Sequence, residues 1–400
     1  MFLIRRAKID DAGTLLKLGK MVHFINLPPD KDIITQKIVH SRNCFIRVAT
    51  GASAKPTKRV DSGMGLAAAS AGVDMFMFVL EDTDTGNCLG TSQLLAQMGG
   101  IDNPNIALKL ERRQFFSTSL QTGTTQIVAR YHEDASCPTE IGGLILQPSL
   151  RGHKHRLGLL LSLVRFHFIA LQRERFSDRI LAEMMAPITP HGTNLFWEAV
   201  GRRFIPLSYD EADRFCQYSR EFMTSLMPRQ DIYLSLLPAT ARAGVGQVNR
   251  ETLPARRMLE KIGFTYNNVI DPFDGGPHLE VNTDDVGLIR NTRTLTLAGS
   301  GRASQRTRRG IVSILDSDGD FRAFQCAFAL ERNGKILLPR DVIKALHAEP
   351  GARVGVTPTD DKPLRTTSPR PSAKKTSPKN TTPKQSSTKK TAKKRRSTRP

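Results

Sequence analysis

Cysteine is scarce and scattered: Cys44, Cys88, Cys137, Cys216 and Cys326 are odd in number and include no CxxC pair. That spacing argues against a disulfide framework and against a zinc site, and it fits reduced thiols in a cytoplasm. Long apolar runs are missing too. The greasiest stretch, "LGLLLSLVRFHFIAL" at 157–171, is too short to span a bilayer and carries Arg165 and His167, so it reads as a soluble helix and no membrane partner is expected. The N-terminus "MFLIRRAKIDDAG" has acidic residues and no apolar core of signal-peptide length, which argues against secretion by that route. "DSDGD" at 316–320 starts like a calcium loop, but the position eleven residues after Asp316 holds Ala327 where that loop needs glutamate; it reads as a β-turn, and no metal is expected.

Acid is absent from the end of the chain. Lys362–Pro400 contains no Asp or Glu but 14 Lys and Arg, two thirds of the formal charge of +21. With no aromatic or large aliphatic residue, "KKTSPKNTTPKQSSTKKTAKKRRSTRP" cannot offset the entropy of ordering, and residues 358–400 read as a disordered basic tail. Ser368, Ser377 and Thr382 each open an [ST]P[KR] step. Two readings stand: a nucleic-acid arm acting by counterion release, with a log-log salt slope of about −7 for eight phosphates on duplex DNA, or a solubilising tail. No groove-entering motif accompanies it, so sequence-specific reading of a duplex is not expected.

What remains is a globular chain, 39% hydrophobic, with a substantial core. Strands are expected at 2–7, 75–82, 140–148, 179–186 and 264–270, with others in "CLGTSQLLAQM" and "QIVARYHE"; helices are expected at "DDAGTLLKLGKMV", 157–173, 193–204 and "DEADRFCQYSREFMTSLMP". Residues 50–73, rich in Gly, Ala and Ser, read as a flexible insertion, and 293–357 as a small β-rich appendix to a body at 1–292. "GQVNRETLPARRMLEKIGF" at 246–264 reads as a helix capped by Asn249 or Thr252, with Pro254 in its first turn, Ala255, Met258, Leu259 and Ile262 on its apolar face, and Gly263 ending it. It echoes "TNLFWEAVGRRF", either as a duplicated unit or as two independent helix ends.

Between the apolar strand at 140–148 and the helix at 157 lies "SLRGHKHRLG". A strand, a basic glycine-bearing loop and a helix are the parts of a phosphate cradle, because first-turn amides and the helix dipole favour an anion. Arg151, Lys154, Arg156 and Gly158 are its candidate contacts; a solvated basic turn is the alternative.

The segments "FLIRRAKIDDAGTLLKL", "MFMFVLEDTDTG", "AEMMAPITPHGTNLFWEAVGRRF", "LMPRQDIY", "GQVNRETLPARRMLEKIGF" and "IDPFDGGPHLE", in this order, resemble the bacterial arginine N-succinyltransferases over about residues 1–355. The resemblance implies an α/β fold of the acyl-CoA-dependent N-acyltransferase type (GNAT-like): a mixed, mostly antiparallel sheet flanked by helices and splayed at its centre. It implies transfer of succinyl from succinyl-CoA to the α-amine of arginine, as part of arginine catabolism, and a self-associating enzyme. It places Leu144 at the succinyl-CoA contact, where a leucine offers packing and its backbone amide an oxyanion donor.

Three departures accompany it. The family histidine of "GQVHP" is Asn249 here, followed by Arg250 in place of proline; Met185 stands where the family has an arginine; the pyrophosphate loop is two residues longer and poorer in glycine. Asparagine donates and accepts hydrogen bonds but does not titrate, and acid–base assistance is worth about 100-fold to 10,000-fold. The tyrosine used as acid elsewhere in the superfamily is absent as well, Trp197 and Leu259 standing at the corresponding helix positions. Glu140 and Glu183 on strands, and His191 and His278 in turns, are substitutes to weigh against ordinary ion-paired or solvated roles. The expectations are thus an altered acyltransferase or, in a different class, a catalytically weakened homologue serving as a binding module with a nucleic-acid-contacting tail.

Overall fold

The computed structural model describes residues 1–21, 27–52, 73–100, 104–216, 219, 221–301, 307–331 and 333–360. The chain divides into two units, Met1–Arg365 and Thr366–Pro400. The second, which holds most of the basic tail, lies outside the described residues, as does 53–72 of the Gly/Ala/Ser-rich stretch.

The first half runs β1 (Phe2–Arg6), α1 (Ala12–Lys20), α2 (Lys31–Ala49), β2 (Met75–Asp82), β3 (Cys88–Leu95), β4 (Asn105–Ser117), β5 (Thr122–Asp134), β6 (Thr139–Leu146), α3 (Leu157–Leu171) and β7 (Arg179–Glu183). Next come α4 (Leu195–Ala199), α5 (Gly201–Phe204), α6 (Tyr209–Phe215), α7 (Glu221–Leu226), β8 (Ile232–Tyr233), α8 (Ala239–Gly244), α9 (Leu253–Lys261), β9 (Thr265–Ile270), β10 (Pro277–Asn282) and α10 (Gly287–Asn291). The chain then continues through β11 (Arg293–Ser300), β12 (Arg308–Leu315), β13 (Phe321–Leu330), β14 (Ile336–Leu338), α11 (Arg340–Leu346) and β15 (Arg353–Pro358).

One sheet carries the fold, ordered β12-β15-β11-β14-β13-β1-β2-β3-β6-β7-β10-β9-β4-β5-β8 among the described residues. Because β12 also pairs with β13, the last five strands close into a ring with its own core of Leu297, Val312, Phe324, Phe328, Leu338 and Val356. The "DSDGD" turn joins β12 to β13: Gly319 takes φ +76, and Asp316 Oδ1 accepts from the amides of Asp318 and Asp320.

From β1 to β9 every neighbouring pair is antiparallel except β6 and β7. Those two pair only at Thr139↔Ile180 and Glu140↔Leu181, near their starts. Further along, β6 bulges: Gly143 takes φ +56, a Cβ there would meet the Gln93 side chain at 2.8 Å, and the register with β3 slips between Thr91 and Gln93. A bulge of this kind bends its strand. Strand β7 instead follows β10, residue for residue from Arg179↔Asn282 to Glu183↔His278, so a gap opens between β6 and β7.

Helix α3 covers one face with Leu160, Leu161, Val164 and Phe168, the last in an aromatic cluster with Phe45, Phe76, Phe78 and Phe321. Two expected helices are broken. "TNLFWEAVGRRF" divides into α4 and α5 at Val200, whose φ −120 and ψ −72 leave the helical region, and Gly201 then lies against the Trp197 ring, 2.3 Å from where a Cβ would sit. "DEADRFCQYSREFMTSLMP" gives α6 and α7. The expected strand at 179–186 ends at Glu183.

His167 of α3 is buried, its ring nitrogens 2.6 Å from Thr357 Oγ1 and Ser313 Oγ, tying the helix to the strand ring. Burial pushes this imidazole down to about 3, against about 6.5 when unfolded. Between those values the unfolded chain binds a proton that the folded chain refuses, so this stability is complete above about pH 6.5 and is lost on acidification, at about 1.4 kcal/mol per pH unit. Burial also pushes His40 and His278 down, which acts in the same sense, whereas it pushes the Asp274 carboxyl up to about 8, which opposes them above about pH 4. Unfolding titrations of His167→Gln should therefore show a shallower pH dependence, by about one proton between pH 4 and 6. Equal slopes for the two proteins would contradict it.

Candidate functional site

The parted strands open a pocket of about 690 Å³. One wall is the bulged end of β6, with Leu144, Ile145 and Leu146; another is the basic loop and the start of α3, with Arg151, Gly152, His153, Arg156, Leu157 and Gly158. The third is the turn before α9 with Asn249 and Thr252 and the start of α9 with Ala255 and Met258, together with Met185, just past the end of β7.

Each wall is set locally. Pro148 starts a single 3-10 turn, Gly152 takes φ +76, and Arg156 enters α3 in the left-handed conformation (φ 50, ψ 50). The helix therefore begins abruptly, and its first-turn amides, which have no intrahelical partner, lie at the pocket wall. Arg151 pairs with Glu251 across the pocket at 3.4 Å, both ends solvent-exposed. Behind β6, buried Arg165 donates to Gly142 O (3.4 Å), Ser162 O and Ser162 Oγ, and desolvation pushes this guanidinium down to about 9.

Asn249 does not cap α9 with its side chain. Its Oδ1 accepts from Glu251 N (3.0 Å), closing a local turn, while its carbonyl accepts from Thr252 N, Leu253 N and Thr252 Oγ1. Thr252, the residue at the helix entrance, makes no side-chain cap bond. Asn249 N donates to Met185 O (2.8 Å), which fixes the turn against β7. Among the described residues, Nδ2 of Asn249 is left as a donor.

Leu144, Arg151, Arg156, Gly158 and Asn249 thus meet in one pocket. Lys154 is exposed and does not line it, His191 is exposed on its loop, and Glu140 is buried at the last β6–β7 pairing and lines neither described pocket. Trp197 and Leu259 belong to the core. Glu183 lines a second cavity of about 80 Å³, together with Asn105, Asp271, Phe273, Met98 and Met223. His278, opposite Glu183 in the ladder, places Nε2 3.6 Å from Glu183 Oε1. Asp271 was not singled out by the sequence; its one signal was the pair of aspartates bracketing "DPFDGGP".

The fold and site define an α/β protein whose sheet is opened by two diverging strands, with a basic loop and a helix N-terminus at the opening. The chain belongs to the arginine N-succinyltransferase beta subunit family, whose model matches residues 2–288. It is 37% identical over 224 residues to an arginine N-succinyltransferase of Enterobacter sp. (strain 638), covering 56% of this chain and 64% of that one. The match to its Citrobacter koseri counterpart covers 63% of that protein, so the chain spans slightly under two thirds of these two relatives. Against an Escherichia coli (strain 55989 / EAEC) arginine N-succinyltransferase, identity is 32% over 282 residues, 70% of this chain and 80% of the relative. The solved arginine/ornithine succinyltransferase subunit AI from Pseudomonas aeruginosa superposes with a TM-score of 0.71 at 25% identity, covering 90% of this chain and 98% of that one. No helix among the described residues is long and apolar enough to cross a membrane.

Proposed function

We propose that this chain transfers succinyl from succinyl-CoA to the α-amine of arginine, with the pocket between β6 and β7 as the acyl-donor site. One observation carries the reading: two parallel strands part beside a bulge, with a basic loop and helix N-terminus at the opening. The strand order β1-β2-β3-β6-β7-β10-β9 and its one parallel pair support an N-acyltransferase-like (GNAT-like) body at 1–292, with the strand ring as appendix. The ring runs past the expected boundary at 357, since β15 includes Pro358 and Asp360 pairs with Arg308, so we set the start of the tail, read at 358–400, beyond Asp360.

In this site the succinyl-CoA phosphates bind Arg151, Arg156 and the first amides of α3. The acyl arm lies along Leu144 and Leu146, and the Leu144 amide polarises the thioester carbonyl. The amine, once it has given one proton to solvent, attacks the thioester carbon; the C–N bond forms, the C–S bond breaks, and the second proton passes through solvent to the sulfur, so that CoA leaves as the free thiol. Asn249 orients the reacting groups through Nδ2 without moving a proton, so proximity and oxyanion stabilisation supply the rate.

A second reading, a weakened homologue that binds acyl-CoA, has in its favour that Asn249 does not titrate and spends its carbonyl on the turn. The tail's contact with nucleic acid, self-association and residence in the cytoplasm stay with this proposal as sequence-derived expectations.

Removing both charges in Arg151→Gln/Arg156→Gln is expected to raise the Kd for succinyl-CoA about tenfold to a hundredfold, since a hydrogen bond to a charged group contributes roughly 1.5–3 kcal/mol. It should also flatten the salt dependence of binding. Calorimetry on both proteins reads this, and an unchanged Kd with unchanged salt dependence would sink the proposed donor site.

A further inference from the structure

We infer that the smaller cavity is a guanidinium subsite, in which Glu183, Asp271 and His278 receive the cationic head of the acceptor amine; this rests on the acyltransferase reading above. Three elements that are distant in sequence converge there. Glu183 ends β7, His278 faces it from β10, and Asp271 follows β9. One polar atom from each lies within 4.8 Å of the others. Asn105 Nδ2 donates to Glu183 Oε1 at 3.3 Å, and Asp271 Oδ1 accepts from the amides of Phe273 and Asp274.

His278 marks the position of a ligand. It is 2% exposed, and its Nε2 makes no hydrogen bond among the described residues. Burial pushes this imidazole down, so it is neutral near pH 7, and with the proton on Nδ1 its Nε2 is an acceptor. Glu183 and Asp271 line the cavity, and the imidazole stands beside them within 4.8 Å; two carboxylates and a lone pair so close together call for a cation with several donors. A guanidinium has five N–H groups in one plane. Phe273, Met98 and Met223 supply apolar walls, the ring suiting a flat cation, and about 80 Å³ is several times the roughly 10–15 Å³ that one water needs.

Position relative to the donor site supports the same ligand. Met185 follows Glu183, the last residue of β7, by two positions, a span of at most about 7 Å along the chain. Met185 lines the larger pocket. That separation is comparable to the reach of an extended arginine side chain, so a head held at Glu183 leaves the α-amine beside Asn249 and the thioester.

The test is calorimetric titration of the full chain, with and without CoA, by arginine and by citrulline, its neutral isostere, repeated for Glu183→Gln and Asp271→Asn. Citrulline is expected to bind at least about 30-fold more weakly, because a buried charge loses its partner. Each variant should weaken arginine at least tenfold while leaving the Kd for succinyl-CoA unchanged. Equal affinity for arginine and citrulline, no arginine binding, or arginine affinity unchanged in both variants overturns the subsite. So does one equivalent of Mn²⁺ bound tightly in the absence of arginine and lost in both variants, which would make this a metal site. Failure of succinyl-CoA to bind would sink the acyltransferase reading, while arginine–citrulline discrimination lost in the two variants would still uphold the subsite.

Discussion

Asn249→His should raise arginine-dependent release of thiol from succinyl-CoA by about 100-fold or more, the usual worth of a positioned acid or base. The position is prepared for it. Asn249 N is held by Met185 O, and its side chain lies at the pocket wall between the end of β7 and the start of α9. An imidazole there can accept from Glu251 N as the asparagine carbonyl does, leaving its second nitrogen toward the pocket. The gain should follow pH with a midpoint near the ordinary histidine value of roughly 6.5, while the unaltered chain shows no such step. Initial rates against pH for both proteins check this, and equal rates across the range would mean that residue 249 takes no part in proton transfer.

Gly276→Ala should abolish both pockets and most of the soluble protein. An added Cβ would sit 1.9 Å from Met184 O and 2.8 Å from Asp274 Oδ1. Backbone oxygen cannot yield as a flexible side chain can. The contact lies where the turn after β9 is stapled to the end of β7: Met184 N donates to Pro277 O, and buried Asp274 accepts from Ala186 N and Gly276 N. Losing two bonds to a buried carboxyl and forcing the strands apart should cost more than about 4 kcal/mol. Gly152→Ala is the control, since its positive φ of 76° is strained for alanine but nothing lies within 4 Å of the added Cβ; it should stay folded with about 1 kcal/mol lost. Urea unfolding of the two variants separates the cases, and a Gly276→Ala chain as stable as the control would show that the turn can yield.

Much of the fold was legible because local pattern and burial agree. "MFMFVLED" is a strand from Met75 to Asp82 as read, since its residues are buried on both faces and turn chemistry bounds it. The glycine-bearing basic loop between β6 and α3 was legible as a strand-to-helix connection, and Leu144, Arg151, Arg156, Gly158 and Asn249 share one pocket. Strand β4 was missed because its second half, "ERRQFFS", is largely exposed in a hairpin with β5 and has no buried face to impose alternation. Helix α2 was missed although Asp30 caps it through bonds to the amides of Asp32 and Ile33. The break at Val200 lies in its backbone, φ −120 and ψ −72, which apolar spacing does not encode. The least legible feature is the cluster of Glu183, Asp271 and His278. Glu183 and His278 were each visible as candidates, but their meeting depends on the register of β7 against β10, set by contacts nearly a hundred residues apart.

Succinyl transfer to arginine is tested most directly by mixing the purified full-length chain with succinyl-CoA and arginine, then following free thiol and succinylated arginine together by colorimetry and mass spectrometry. The account predicts that both products appear in equal amounts, that thiol release requires arginine, and that acetyl-CoA is the poorer donor. Intact succinyl-CoA and unmodified arginine after prolonged incubation, with the unaltered chain and with Asn249→His alike, would contradict it.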